Sequence, residues 1–471
     1  MVVVKVSYAL LALCVAIASN SFAQQSAPDS IPEFVIDSIE LSGNKTTKTR
    51  IILRELEIKQ ADTLPAAELN ALIKRSRDNL LNTSLFNCVE IHTQSIDSVH
   101  LTLSVELTER WYTWPIPLFE LAETNFNTWW LDKDLNKINY GFYLIRENFR
   151  GRKESLKFRF RFGYDQQIAM QYTIPFIDKR QMAGLEFTLG YSFNHEIAYG
   201  TVDNKRQFYK SETGYSRKDI FARTALVVRK KLYNRQVINL QYNRASVEDT
   251  VLKLAPDFLN GDMSYNEYLS LSWLFMHDKR DYIYYPLSGH VFLMQLTKEG
   301  LGIVDHSGLN LLSAYTEFNQ HFHIEKKLYF AYGINAKINL LENPPYYYQR
   351  GLGYTNFVRG YEYYVIDGQS YGLLKSNMKL ALIKEKKGTL KFIKTEKFSK
   401  YHYSVFLNLF ADAGYVFDGL YAASNPASNS LLIGSGIGLD FLTYYDMVMR
   451  VEFSVNRFGE SGFFLHFEKP I

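Results

Sequence analysis

The amino-acid sequence predicts a membrane all-β protein: a transmembrane antiparallel β-barrel of about 16 strands, preceded by one small α+β domain. Three observations predict it. The chain is rich in aromatics without being apolar on average: 15% of its 471 residues are aromatic, with 34 Tyr and 33 Phe, yet the mean hydropathy is −0.18. It opens with an export leader, and no later apolar run has the length of a membrane helix. Beyond Glu109, apolar and polar residues alternate with a period of two in segment after segment. Inside a bilayer every backbone polar group must be paired within the protein, so a chain without spanning helices can cross only as a closed sheet.

The leader comprises residues 1–23. Lys5 supplies the positive start, Tyr8 to Ala18 the apolar stretch, and Ser21-Phe22-Ala23 a small-x-small cleavage site. The apolar stretch is too short for a spanning anchor. Once Cys14 leaves with the leader, only Cys88 remains, which excludes an internal disulfide and leaves a cysteine-based catalytic or metal scheme without partners. A formal net charge of +4 offers no electrostatic case for nucleic acid as a partner.

Residues 32–109 read as a compact domain. Phe34 to Leu41 reads as a strand, closed by Ser42-Gly43-Asn44. Thr47 to Leu56 carries Ile51, Ile52 and Leu56 at helical spacing. Thr63-Leu64-Pro65 is expected to open a second helix, with Pro in its first turn. Leu69, Leu72, Ile73 and Leu80 form that helix's apolar stripe, and Phe86 to Gln94 and Val99 to Leu107 read as strands. Ile39-Glu40-Leu41-Ser42-Gly43-Asn44, Ile52-Leu53-Arg54-Glu55-Leu56, Ser84-Leu85-Phe86-Asn87-Cys88-Val89 and Val105-Glu106-Leu107 together resemble a POTRA domain in order and spacing. That resemblance implies an exposed edge strand around Cys88 to Thr93, able to pair with an extended client or an accessory subunit.

Residues 111–471 read as the barrel. Leu156, Phe158, Phe160, Phe162 and Tyr164 alternate with Lys157, Arg159, Arg161 and Gly163, and Met447, Met449, Val451, Phe453 and Val455 alternate with Arg450, Glu452 and Ser454. Charges on one side and large apolar groups on the other suit a wall between lipid and a wet lumen better than a soluble sandwich. At roughly 20 to 22 residues per strand with its share of connections, this stretch holds about 16 strands. Trp111, Trp114, Trp129 and Trp130, with the tyrosines at 282, 284, 285 and 346–348, are expected to be interfacial anchors; loop packing competes for the 346–348 group.

No enzyme signature is present: no Gly-x-Ser-x-Gly elbow, no phosphate-cradling glycine loop, no catalytic set. Neither a metal nor a cofactor is expected. Gly434, Gly436 and Gly438 make one smooth strand face, and His321 and His323 lack the carboxylates of a metal site.

Four ordered motifs resemble the BamA-like insertase and two-partner-secretion transporter superfamily of bacterial outer-membrane barrels. They are Asn148-Phe149-Arg150-Gly151-Arg152; Asp278-Lys279-Arg280-Asp281 with Pro286 and Gly289; Val358-Arg359-Gly360-Tyr361; and Phe410-Ala411-Asp412-Ala413-Gly414. The resemblance implies a long loop folded back into the lumen, with Val358, Arg359, Gly360 and Tyr361 at its tip and Arg359 paired with an acidic wall residue. Asp412 falls on the lumenal face with Asn408, opposite Leu407 and Leu409, and is the counter-charge assigned here. The resemblance also puts the first barrel strand at about Trp114 to Glu123, with Pro115 and Pro117 in it, and the last at Gly462 to Phe467. Prolines cannot donate ladder bonds, so this seam is expected to open more readily than any other pair.

The function implied is assembly and insertion of unfolded outer-membrane protein clients in contact with outer-membrane lipid, with the POTRA domain in the periplasm and periplasmic or lipoprotein accessory subunits as further partners. A dedicated secretion transporter and a passive porin are the alternatives.

Overall fold

The computed structural model describes residues 33–468 apart from 123–128, 130–132, 179, 181, 261–262, 305–307, 341–343, 390–399 and 444–446. The leader at 1–23 and Trp130 lie outside the described residues.

The N-terminal region contains β1 (Glu33–Ser42), α1 (Thr49–Glu55), β2 (Thr63–Pro65), α2 (Ala66–Asn82), β3 (Phe86–Ser95) and β4 (His100–Glu109). Its sheet runs β2-β1-β4-β3, with β1 parallel to β4 from Val35↔His100 to Ser42↔Glu106. One expectation needs correction. Thr63-Leu64-Pro65 is a short strand antiparallel to β1, and helix α2 starts only at Ala66. Proline suits either place, because a strand at the sheet edge can dispense with an N–H as readily as the first helical turn can.

Cα packing divides the chain into two compact units. One holds the residues up to Ser42 with Leu56–Arg77 and Glu90–Glu106, and Ile36, Ile58, Leu101, Leu103 and Val105 are buried in it. The other joins Gly43–Glu55 and Asp78–Val89 to everything from Leu107 onward.

The second unit is built on a sheet of 16 antiparallel strands forming a barrel. They are β5 (Thr113–Leu121), β6 (Ile138–Phe149), β7 (Glu154–Gly163), β8 (Asp165–Ile174), β9 (Ala183–Asn194), β12 (Arg217–Lys231), β13 (Asn234–Val247), β14 (Tyr265–Asp278), β15 (Gly289–Glu299), β16 (Leu311–Glu325), β17 (Leu328–Asn339), β18 (Ser370–Thr389), β19 (Lys400–Phe417), β20 (Leu431–Leu442), β21 (Val448–Asn456) and β22 (Ser461–Glu468). A separate hairpin, β10 (Glu196–Val202) and β11 (Lys205–Lys210), fills the connection from β9 to β12, and a helix, α3 (Asp249–Leu254), that from β13 to β14.

Burial explains why period-two sequence makes this wall. On β21, Glu452, Ser454 and Asn456 are buried while Val451, Phe453 and Val455 are exposed. On β19, Asn408 and Asp412 are buried and Leu409 is exposed. Polar inside and apolar outside is the inverse of a soluble protein and the signature of a barrel with a polar lumen.

The aromatic-girdle expectation fails at two places. Tyr285 is buried, packs with Phe406, and donates its hydroxyl to Asp440 at 2.6 Å. Tyr346–Tyr348 form a 3-10 turn, and the Tyr346 and Tyr347 rings pack on Phe258 beside Val251 and Ile197. Tyr285 turns to Asp440 on β20, and the 346–348 group packs on neighbouring connections, the loop packing that competed with the anchor reading for it; aromatic content cannot tell such packing from an outer rim.

Candidate functional site

The connection from β17 to β18 runs through the barrel's interior. Leu352 and Ile366 bridge its two limbs with reciprocal backbone hydrogen bonds of 2.9 and 2.8 Å. Val358 and Tyr361 from its tip join a buried cluster with Leu352, Ile366, Tyr371, Leu373, Val416 and Leu432. Between them the chain turns at Gly360, whose φ of +94° favours glycine. Apolar burial on both sides therefore holds the tip while the residue between them projects to the wall.

That residue is Arg359. Its Nε donates to Asp412 Oδ2 at 2.8 Å and its second amino group to Oδ1 at 2.6 Å, a two-point fork. It also donates to Asn377 Oδ1 at 2.7 Å, to Glu452 Oε1 at 3.3 Å and to the Ser376 carbonyl at 3.2 Å. The guanidinium carbon lies 3.8 Å from the Phe410 ring centre. Arg359 is 3% exposed and Asp412 2%, so the charges have little water to fall back on.

The alternate glycines of β20 acquire a purpose here. A side chain at Gly434 would overlap the Arg359 carbonyl, so the tip lies against a strand face cleared of Cβ atoms. Asn456 donates to the Gly360 carbonyl at 2.8 Å, and the Arg457 N–H donates to the Tyr361 hydroxyl at 3.3 Å. Asn377 and Glu362 were not singled out in the sequence, and Glu452 and Gly434 entered only as members of an alternating strand and a glycine row, with no link to Arg359.

The Asp278 segment shapes its own turn between β14 and β15. Arg280 forks onto Asp278 at 2.9 and 2.5 Å, and Asp281 Oδ1 accepts the backbone N–H groups of Tyr282, Leu287 and Ser288. Pro286 lies within the turn, and Gly289 closes it at φ +93°, where a Cβ would strike the Lys279 carbonyl. The Asn148 segment makes the turn from β6 to β7. Asn148 donates to Thr47 Oγ1 at 2.9 Å, the Lys48 N–H donates to the Gly151 carbonyl at 3.0 Å, and Glu109 Oε1 accepts from the Thr47 N–H and hydroxyl at 2.7 and 2.6 Å.

Glu55, 1% exposed, accepts a fork from Arg229 near the end of β12 at 2.9 and 3.2 Å. Burial pushes the Glu55 carboxyl up, but the charges of Lys153, Arg229 and Arg54 outweigh it and hold it below the ordinary glutamate range. Four hairpin ends of the barrel thus receive Gly43–Glu55 and Asp78–Val89: besides the two above, the Ser84 and Tyr284 hydroxyls hydrogen-bond at 3.2 Å in the β14–β15 turn, and Arg54 lies over the Phe176 ring at 4.7 Å between β8 and β9.

The sheet order begins at β22 and ends at β5, so these strands are its two edges among the described residues. Pro115 and Pro117 lie inside β5, opposite Leu144 and Phe142 of β6. Which way they face follows from the ladder. Tyr112 accepts from the Glu147 N–H, and the Ala122 N–H donates to Lys137, both in the register of this pair. Hydrogen-bonded positions alternate along an antiparallel strand, so the even residues of β5 bond to β6. The odd ones, Pro115 and Pro117 with them, aim their backbone at the side away from β6, where the strand is short of two donors. On that side the Thr113 carbonyl accepts the Trp111 indole N–H. Phe119 and, on β22, Phe463 are strongly exposed aromatics, at 69% and 70%. Gly462 sits near the start of β22 with the Phe464 ring beside it, and Phe467 pairs with Met449.

Comparison with known proteins gives concordant results. A family model described as the Omp85 superfamily domain matches residues 148–443, and one described as the surface antigen variable number repeat, POTRA, matches 34–108. No curated protein matches by sequence. Among solved structures, BamA from Haemophilus ducreyi lacking POTRA domains 1–3 is similar at a TM-score of 0.54 and 14% identity, over 92% of this chain and 84% of that one. CdiB from Escherichia coli is similar at a TM-score of 0.50 and 12% identity, over 95% and 92%. At such identities the likeness is one of fold.

Proposed function

The chain belongs to the Omp85 superfamily, and from that premise we propose that it is an outer-membrane assembly factor that inserts client proteins by strand pairing at the seam between β5 and β22. The carrying observation is the donor-poor β5 edge, with Pro115 and Pro117 turned away from β6. A closure short of two hydrogen bonds forgoes roughly 0.5–1.5 kcal/mol for each, so a client strand competes for that edge at low cost. The buried loop tip favours a working wall over an open pore, since Val358, Arg359 and Tyr361 occupy the interior.

In this reading the barrel sits in the bacterial outer membrane, and residues 32–109 form a periplasmic POTRA domain. Strand β3, at the end of its sheet, offers an edge to unfolded clients or accessory subunits. The mechanism calls for no covalent step and no cofactor; backbone hydrogen bonds are exchanged between seam and client.

Depletion of the protein, followed by scoring outer-membrane proteins for their folded, heat-modifiable forms, tests this. Loss of folding across several barrels supports the assembly role. Loss of a single secreted protein supports a dedicated transporter instead, and no loss overturns both.

A further inference from the structure

The lumen loop also reaches the last strand. Its Phe357 ring stacks on the His466 imidazole with centroids 5.4 Å apart and planes 22° apart. Tyr363 lies against Phe464 at 5.5 Å, and the Tyr364 hydroxyl donates to Glu460 at 2.6 Å. His466 is where charge converges. Glu452 turns Oε1 to Arg359 and Arg450, at 3.3 and 3.8 Å, and Oε2 to His466 Nε2 at 3.6 Å. Glu362 turns Oε2 to the Gly360 N–H at 2.7 Å and Oε1 to the same His466 nitrogen at 3.7 Å. Both carboxylates are buried, and Glu452 Oε2 and His466 Nε2 make no hydrogen bond among the described residues.

Two buried carboxylates from two elements therefore point one oxygen each at one ring nitrogen on a third. The distances are those of charge contacts rather than hydrogen bonds. Like charges brought this close in a poorly hydrated site repel unless a cation or donor stands between them. Strand β22 ladders with β21, and the loop adds contacts to it from within.

We propose that His466 is a latch: the loop fastened by Arg359 to Asp412 uses Glu362, with Glu452 of the wall, to hold β22 at the seam, and the seam opens when this contact is released. The proposal rests on the strand-pairing reading above and adds its regulation. His466 acts here as a positioning residue.

The test uses the purified full-length protein in detergent, without client, and reads hydrogen exchange of residues 461–467. His466→Phe keeps an aromatic ring to stack on Phe357 and removes both ring nitrogens, Nε2 among them. Exchange in β22 is expected to rise about tenfold while β7 and β8 keep their protection. Glu362→Gln in the same background relieves the facing charge and is expected to bring exchange back towards the wild-type rate. A purely packing role would not respond to that second change. Should His466→Phe not fold, Glu362→Gln alone carries the test, since its amide oxygen can still accept from Gly360 while its charge on His466 is gone; β22 exchange then rises several-fold. Unchanged exchange in the variant that folds, or a rise that Glu362→Gln fails to reduce, overturns the latch. Either result leaves the client-assembly reading to its own depletion test.

Discussion

Removing the Arg359 side chain should be among the costliest single truncations in the lumen. Arg359→Ala deletes the fork onto Asp412 and the bonds to Asn377, Glu452 and Ser376, and leaves the Asp412 carboxylate 2% exposed without its cation. Breaking one half of a buried ion pair typically costs about 3–5 kcal/mol. Loss of the cation over Phe410, 3.8 Å away, adds about 0.5–2 kcal/mol. The assay is urea unfolding followed by heat-modifiable gel migration, comparing midpoints at matched slope. Protease access to the loop at Arg350 is read in parallel, because the loop can leave the lumen before the wall unfolds. Asp412→Ala should cost a similar amount, and the double variant much less than the sum, since neither charge is then left alone. Asp412→Asn keeps the shape and one acceptor and should fall between. If Arg359→Ala lies within about 0.5 kcal/mol of wild type, with the loop still protected, the pair does not hold the tip and the reasoning is wrong.

Pro115→Val with Pro117→Val restores two edge donors and should slow seam opening, seen as slower exchange in β5 and weaker rescue of a depleted strain, by about 0.5–1.5 kcal/mol per restored bond. Gly434→Ala places a methyl group against the Arg359 carbonyl and should expel the tip, reproducing the protease pattern of Arg359→Ala without touching a charge. Glu55 has a folded value held below its ordinary 4.5, so its stabilising contribution is full above that pH and is lost as pH falls through the folded value. Exchange of residues 43–55 should therefore rise on acidification below about 4.5, whereas Glu55→Gln should start higher and lack that acid step.

The architecture was legible because its cause is local. A strand with one face to lipid and one to a polar lumen must alternate, and sixteen such strands leave that mark residue by residue. The POTRA elements were readable for the same reason, except at Thr63-Leu64-Pro65, where a proline fits an edge strand and a helix start equally well. Tyr285 misled, and the 346–348 group stayed open between anchor and loop packing, because an aromatic at a strand end has the same local pattern whether it faces lipid or packs on its neighbours.

By itself, then, the sequence determined a small α+β domain, an alternating wall and an arginine between Val358 and Gly360. Tertiary structure alone decided what meets that arginine and its neighbours: Asp412 from 53 residues away, Glu452 from 93, the cleared face at Gly434, and His466 opposite Glu362. It also decided that the backbones of the β5 prolines face away from β6. The physical reason is that alternation sets which face a side chain takes, whereas strand register and the path of the returning loop set which distant faces oppose each other.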